Sequence, residues 1–198
     1  MPSRAQLAFA ISVLVVAIAI AAAAFFRYVP DVTGSGQALI GGPFSLVDHT
    51  GKRVTEKDFL GKYTLIFFGY TYCPDICPAE LQVMSAALDQ MGEAGEPIQP
   101  VFITVDPERD TPDVLKAYVE NFHPRLMGLT GTADEIAVVA RAYRVYYTKA
   151  SGTAAGDYLM DHSSILYLMG PDGKFLKHFT YTTDAKALAA ELTAALER

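Results

Sequence analysis

The stretch Tyr63–Pro78, YTLIFFGYTYCPDICP, decides the fold. Its first half, Tyr63 to Tyr70, is a continuous apolar run rich in β-branched and aromatic residues. A half-exposed strand would alternate polar and apolar residues, so this run suits a strand covered on both faces. The second half holds the chain's two cysteines, Cys73 and Cys77, separated by three residues. From Pro78 to Met91, Leu81, Met84, Leu88 and Met91 recur at helical spacing, and Pro78 is predicted as the first helical residue. Buried strand, cysteine pair and helix start therefore follow one another without a break.

Working outward, Ile98–Val105 reads as a second buried strand. Thr111, Pro112 and Asp113 supply an N-cap, a proline at N1 and an acidic first turn for a helix to about Phe122. Leu126–Leu129 is a short strand, and Thr132 with Glu135 forms a capping box for a helix to about Tyr143. Val145–Thr148 reads as extended and Ser151–Asp157 as a flexible loop. Ser164–Met169 and Lys174–Phe179 are strands joined by the turn Gly170-Pro171-Asp172-Gly173, and Asp184–Glu197 closes the chain as an amphipathic helix. Upstream, Phe44–Asp48 and Arg53–Thr55 flank a hairpin turn at His49–Lys52. The order β-α-β-α, then β-β-α, predicts an α/β domain with a thioredoxin-like fold and insertions, over residues 43–198.

Ahead of this domain, Leu7–Phe26 is an uncharged run of 20 residues. At ~1.5 Å per residue it spans ~30 Å, the thickness of a bilayer's hydrocarbon core. Residues 1–29 are expected to form one N-terminal transmembrane helix and residues 30–42 a Gly- and Ser-containing linker. A cleaved signal peptide is the competing reading, but signal cores run only ~7–15 residues. No Cys directly follows the run, which excludes a lipoprotein anchor, and only Ser3 and Arg4 stand where a transit peptide would be rich in Ser and Arg. A single-pass protein of a bacterial inner membrane, with its domain facing the periplasm, is the expectation. All 22 acidic residues lie after Pro30, whereas two of the 16 basic ones, Arg4 and Arg27, precede it. The exported part is thus strongly acidic, which excludes nucleic acid as a partner.

A structural disulfide between Cys73 and Cys77 would close a loop of only five residues, and crosslinks this short stabilise little. Their position beside a helix N-terminus instead favours a thiolate, the form that attacks disulfides and binds metals. Of the four histidines, His49, His123 and His178 sit in a turn, at a helix end and in a hairpin, where capping or solvation suffices. His162 differs, because it sits at the entry to an apolar strand, in the loop that a thioredoxin-like layout lays against the N-terminus of the cysteine helix. Cys73, Cys77 and His162 make a soft, low-coordinate set suited to Cu(I), with room for an added ligand to Cu(II). A structural zinc site would want a fourth protein ligand. Asp161 is expected to orient the imidazole or to support the ligands from just outside them, and most methionines to pack in the core, Met160 least clearly.

Three segments, Gly69–Pro78 (GYTYCPDICP), Val105–Pro112 (VDPERDTP) and Asp161–Ser164 (DHSS), together resemble the SCO/SenC family in their order along the chain. The resemblance runs from about Gly41 to the C-terminus. It implies a thioredoxin fold that binds one copper through two Cys and one His, here Cys73, Cys77 and His162. It further implies a role in assembling the dinuclear copper site of cytochrome c oxidase subunit II, with another periplasmic copper chaperone as a candidate donor. Two functions follow, a copper metallochaperone or a thiol–disulfide reductase that keeps the target's cysteines reduced. A thiol peroxidase, with its single cysteine beside Arg and Thr, is not matched. The acids of Asp106–Pro112 are expected to shape a partner surface, with helix capping by Thr111 as the plain alternative.

Overall fold

The computed structural model describes residues 17, 40–150 and 158–197. The expected anchor over 1–29, apart from Ala17, lies outside the described residues, as do the linker up to residue 39 and the Ser151–Asp157 loop. Among the described residues no helix is long and apolar enough to cross a membrane.

The apolar run forms strand β3 (Tyr63–Gly69) at the heart of a seven-stranded sheet. Strands β1 (Ser45–Asp48) and β2 (Arg53–Thr55) make the hairpin, and β4 (Ile98–Thr104) and β5 (Met127–Thr130) follow. Strands β6 (Tyr147–Lys149) and β7 (Met160–His162) leave the sheet, and β8 (Ile165–Met169) and β9 (Phe175–Thr180) return to it. The spatial order is β2-β1-β5-β4-β3-β8-β9. Strands β3, β4 and β5 run parallel, which requires helical crossovers; β8 pairs antiparallel with β3, and β9 completes the sheet antiparallel to β8. The result is a mixed α/β, thioredoxin-like architecture.

Four helices serve these crossovers and the C-terminus: α1 (Ile76–Met91), α2 (Pro112–Val119), α3 (Ala133–Ala142) and α4 (Ala185–Leu196). Thr132 and Glu135 form the capping box at the start of α3, and the side chains of Thr111 and Asp184 accept from the backbone N–H groups of Val114 and Ala187. Helix α1 packs against α4 and covers the sheet face that Gly69 shares with Leu65 and Phe67. On the other face Phe68 meets Tyr143 and Tyr167, with ring centroids 5.4 and 6.0 Å away. Leu65, Phe67 and Phe68 are fully buried, each worth about 1.5–3 kcal/mol of hydrophobic stabilisation.

The structure corrects two details. Helix α1 begins at Ile76, so Pro78 is its third residue rather than its first. The first N–H groups of a helix have no acceptor within it, so a proline there removes nothing. His162 stands ahead of the sheet strand as expected, but not in an open loop. It ends a separate short strand, β7, whose partner is β6, with Tyr147 opposite His162. An arm outside the main sheet therefore carries the histidine.

Candidate metal centre

Strands β3 and β4 pair from Tyr63 opposite Ile98 to Gly69 opposite Thr104, so both end at the same level. In an α/β sheet the carboxyl ends of parallel strands are where loops converge into sites. The Cys73 loop leaves β3 there. Cys73 is half-buried and Cys77 fully buried at the start of α1, and both are free thiols. The Cys77 N–H donates to Cys73 Sγ at 3.3 Å. Asp75 stands at the N-cap without a side-chain cap bond, so this sulfur takes one of the orphan N–H groups of the first turn.

His162 approaches from the β7 arm. Its Nε2 lies 3.3 Å from Cys77 Sγ. Its ring packs edge-to-face on Tyr70 and Phe67, at centroid distances of 5.8 and 6.1 Å. The Nδ1–H donates to the Ser163 carbonyl at 3.2 Å, which turns the Nε2 lone pair toward the sulfurs. A backbone carbonyl thus orients the ring. Asp161 does not do so: it is exposed and lies opposite Thr148 in the β6–β7 pair.

The two sulfurs and the imidazole nitrogen all lie within 4.8 Å of one another. Among the described residues this is the one grouping of three or more His, Cys, Asp or Glu ligand atoms found so close. Two soft thiolates and one borderline imidazole fit a soft, low-coordinate cation. The thiols are electrostatically unequal. A hydrogen bond from the Cys77 thiol is the main reason the Cys73 thiol is held down to about 3, against opposing burial. Cys77 is pushed far up, because it keeps that shared proton and because it is buried. Negative charge therefore rests on the sulfur nearer the surface, beside Tyr72, which is 59% exposed.

The other histidines stand apart from this site. His49 Nδ1 accepts from the Gly128 N–H, His123 is buried with Nδ1 accepting from the Arg125 N–H, and His178 stacks on Phe175. Met84, Met160 and Met169 pack in the core.

The acids after β4 turn inward instead of forming a partner surface. Asp110 is fully buried and accepts from Thr71 N–H (3.0 Å), Thr71 Oγ1 (2.6 Å) and Thr104 Oγ1 (2.6 Å). It thereby ties the loop that carries Cys73 to the end of β4. Burial raises its carboxyl above the usual range. Asp106 is buried against Arg109, and only Glu108 reaches out, to Lys149. Neither supporting role was read from the sequence. The available signal was two acids placed directly after a buried strand, at the end of the sheet where the cysteines lie.

Fold and site together define a thioredoxin-like domain whose helix-start cysteines are joined by a histidine from an inserted arm. Comparison with known proteins narrows this further. The SCO1/SenC family profile matches residues 32–197. "Protein SCO1 homolog 1, mitochondrial" of Arabidopsis thaliana is 51% identical over 161 residues, covering 81% of this chain and 48% of that protein. Copper-bound ScoI of Arabidopsis thaliana superposes with a TM-score of 0.76 at 49% identity, covering 80% of this chain and 98% of that one. Copper-bound ScoI of Bradyrhizobium japonicum gives 0.73 at 48% identity, covering 78% and 98%. BsSco, described as a cytochrome c oxidase assembly protein with a disulfide switch, gives 0.63 at 25% identity, covering 80% and 92%. The chain belongs to the SCO1/SenC family. It spans about half the length of the curated relatives it matches.

Proposed function

We propose that this chain is a copper metallochaperone that holds one copper ion through Cys73, Cys77 and His162 and supports assembly of the dinuclear copper site of cytochrome c oxidase subunit II. The observation that carries this reading is the convergence of two sulfurs and one nitrogen within 4.8 Å. The copper-bound relatives and the oxidase-assembly description of BsSco support it. Copper is cargo here. Three ligands, of which Cys73 and His162 are partly open to solvent, satisfy Cu(I) and leave room for an incoming cysteine, so the ion can pass by ligand exchange. Leu7–Phe26 would hold the protein in a bacterial inner membrane through residues 1–29, with 30–42 as linker and 43–198 as the periplasmic domain. Another periplasmic copper chaperone would supply the ion.

The inequality of the two thiols favours a second reading, a thiol–disulfide reductase. In that reaction the Cys73 thiolate attacks a target disulfide and displaces one target thiolate. Cys77 then loses its proton and attacks Cys73, releasing the second target thiol and leaving a Cys73–Cys77 disulfide. Two electrons pass to the target. The readings separate in cells that depend on this protein for oxidase activity. Copper delivery predicts that Cys73→Ser and His162→Ala both abolish that activity. A reductase loses it with Cys73→Ser and keeps it with His162→Ala.

A further inference from the structure

Arg109 stands between the two chain segments that bear the proposed ligands. It follows β4, and its side chain is 15% exposed. Its Nε donates to the Asp106 carboxylate, and its Nη1 donates to the Tyr158 carbonyl at 2.9 Å. The Tyr158 hydroxyl returns to Asp106 at 2.7 Å, closing a ring of contacts. The guanidinium carbon lies 3.7 Å from the Tyr158 ring centroid and 4.5 Å from that of Tyr72. Its Nη2 is buried without a hydrogen-bond partner among the described residues, which leaves the aromatic faces as its electrostatic partners.

The sequence positions of these partners give the cluster its meaning. Tyr72 immediately precedes Cys73, and Tyr158 leads into β7, which ends at His162. Between them, the Tyr70 ring meets the imidazole edge-to-face. Strand β7 pairs with β6 and not with the main sheet. Sheet hydrogen bonding therefore does not fix the distance between the histidine and the cysteines. The Arg109 cluster spans that gap.

We infer that Arg109 is a positioning residue: clamped to Asp106 and Tyr158 and stacked near Tyr72, it fastens the β7 arm to the Cys73 loop and sets the reach of His162 to the sulfurs. The inference rests on the three-ligand reading above. Only a planar fork serves, since lysine offers a point charge that cannot reach carboxylate, carbonyl and ring faces together.

The test is a double-mutant cycle on the full chain, read by Cu(I) competition against a colorimetric chelator. Arg109→Lys breaks the fork. Tyr158→Leu removes ring and hydroxyl while leaving the Arg109–Asp106 pair intact, which guards against loss of fold. Each is expected to weaken Cu(I) binding about 10–100-fold when His162 is present. In a His162→Ala background each is expected to change it by less than about twofold, because the residue it positions is gone. Equal losses in both backgrounds, or none in either, would overturn the inference. Amide hydrogen exchange of the apo protein judges it without copper. Tyr158→Leu should speed exchange at residues 160–163 and spare β3 and β4; unchanged exchange at 160–163 would overturn it. If His162→Ala alone left Cu(I) affinity intact, the three-ligand reading would fall, while the exchange result would still judge the clamp.

Discussion

Gly69 and Cys77 lie in direct apposition: a Cβ at position 69 would stand 2.9 Å from Cys77 Sγ and 2.9 Å from Phe102 Cε2. Hydrogen is the largest substituent that fits between strand and sulfur. Gly69→Ala should therefore push the sulfur off its position and overpack the core, at a cost of about 1–3 kcal/mol. Urea denaturation of the apo protein measures that loss. Cu(I) competition should show weaker binding in the same variant, since Cys77 would no longer face His162 at 3.3 Å.

The unequal thiols predict unequal chemistry. Cys73, held down to about 3, is a thiolate across the neutral and mildly acidic range, whereas Cys77 keeps its proton and is buried. Iodoacetamide should label the reduced apo protein once, at Cys73. From about pH 8 to 5 that rate should fall less than about tenfold, whereas a free cysteine peptide with a pKa of about 8.5 loses about tenfold per pH unit. Peptide mapping that found Cys77 labelled first would contradict the assignment.

Asp110 is the internal support of the cysteine loop. Asp110→Ala would leave the Thr71 N–H and the hydroxyls of Thr71 and Thr104 without their acceptor. Buried donors left unsatisfied cost about 1–3 kcal/mol each before water or rotation relieves them, so a loss of about 3 kcal/mol is expected in thermal or urea unfolding. Asp110→Asn retains one acceptor oxygen and should lose less. Equal stability of Asp110→Ala and wild type would contradict this account of the loop.

These supports also mark where sequence reading ran out. Strand β3, the cysteine helix and the Thr132 capping box carry strong local signals, a long apolar run, helical periodicity and paired cap residues, so their places were legible. Strand β6 showed only as the extended stretch Val145–Thr148, and β7, three residues long, is too short to show a period, so their pairing was not legible. Asp106 and Asp110 look like surface acids in a string of letters. Only partners distant in sequence, Tyr158 for one and Thr71 for the other, reveal them as internal. Ser163 holds the imidazole through its carbonyl, a group every residue has, so no letter could announce it.

The central claim is that two sulfurs and one imidazole share a single copper ion. X-ray absorption of the Cu(I)-loaded full chain tests it most directly. The expected spectrum fits two sulfur neighbours and one nitrogen neighbour per copper, and His162→Ala loses the nitrogen while keeping both sulfurs. A nitrogen neighbour that survived in His162→Ala, or fewer than two sulfurs in the wild type, would contradict the account.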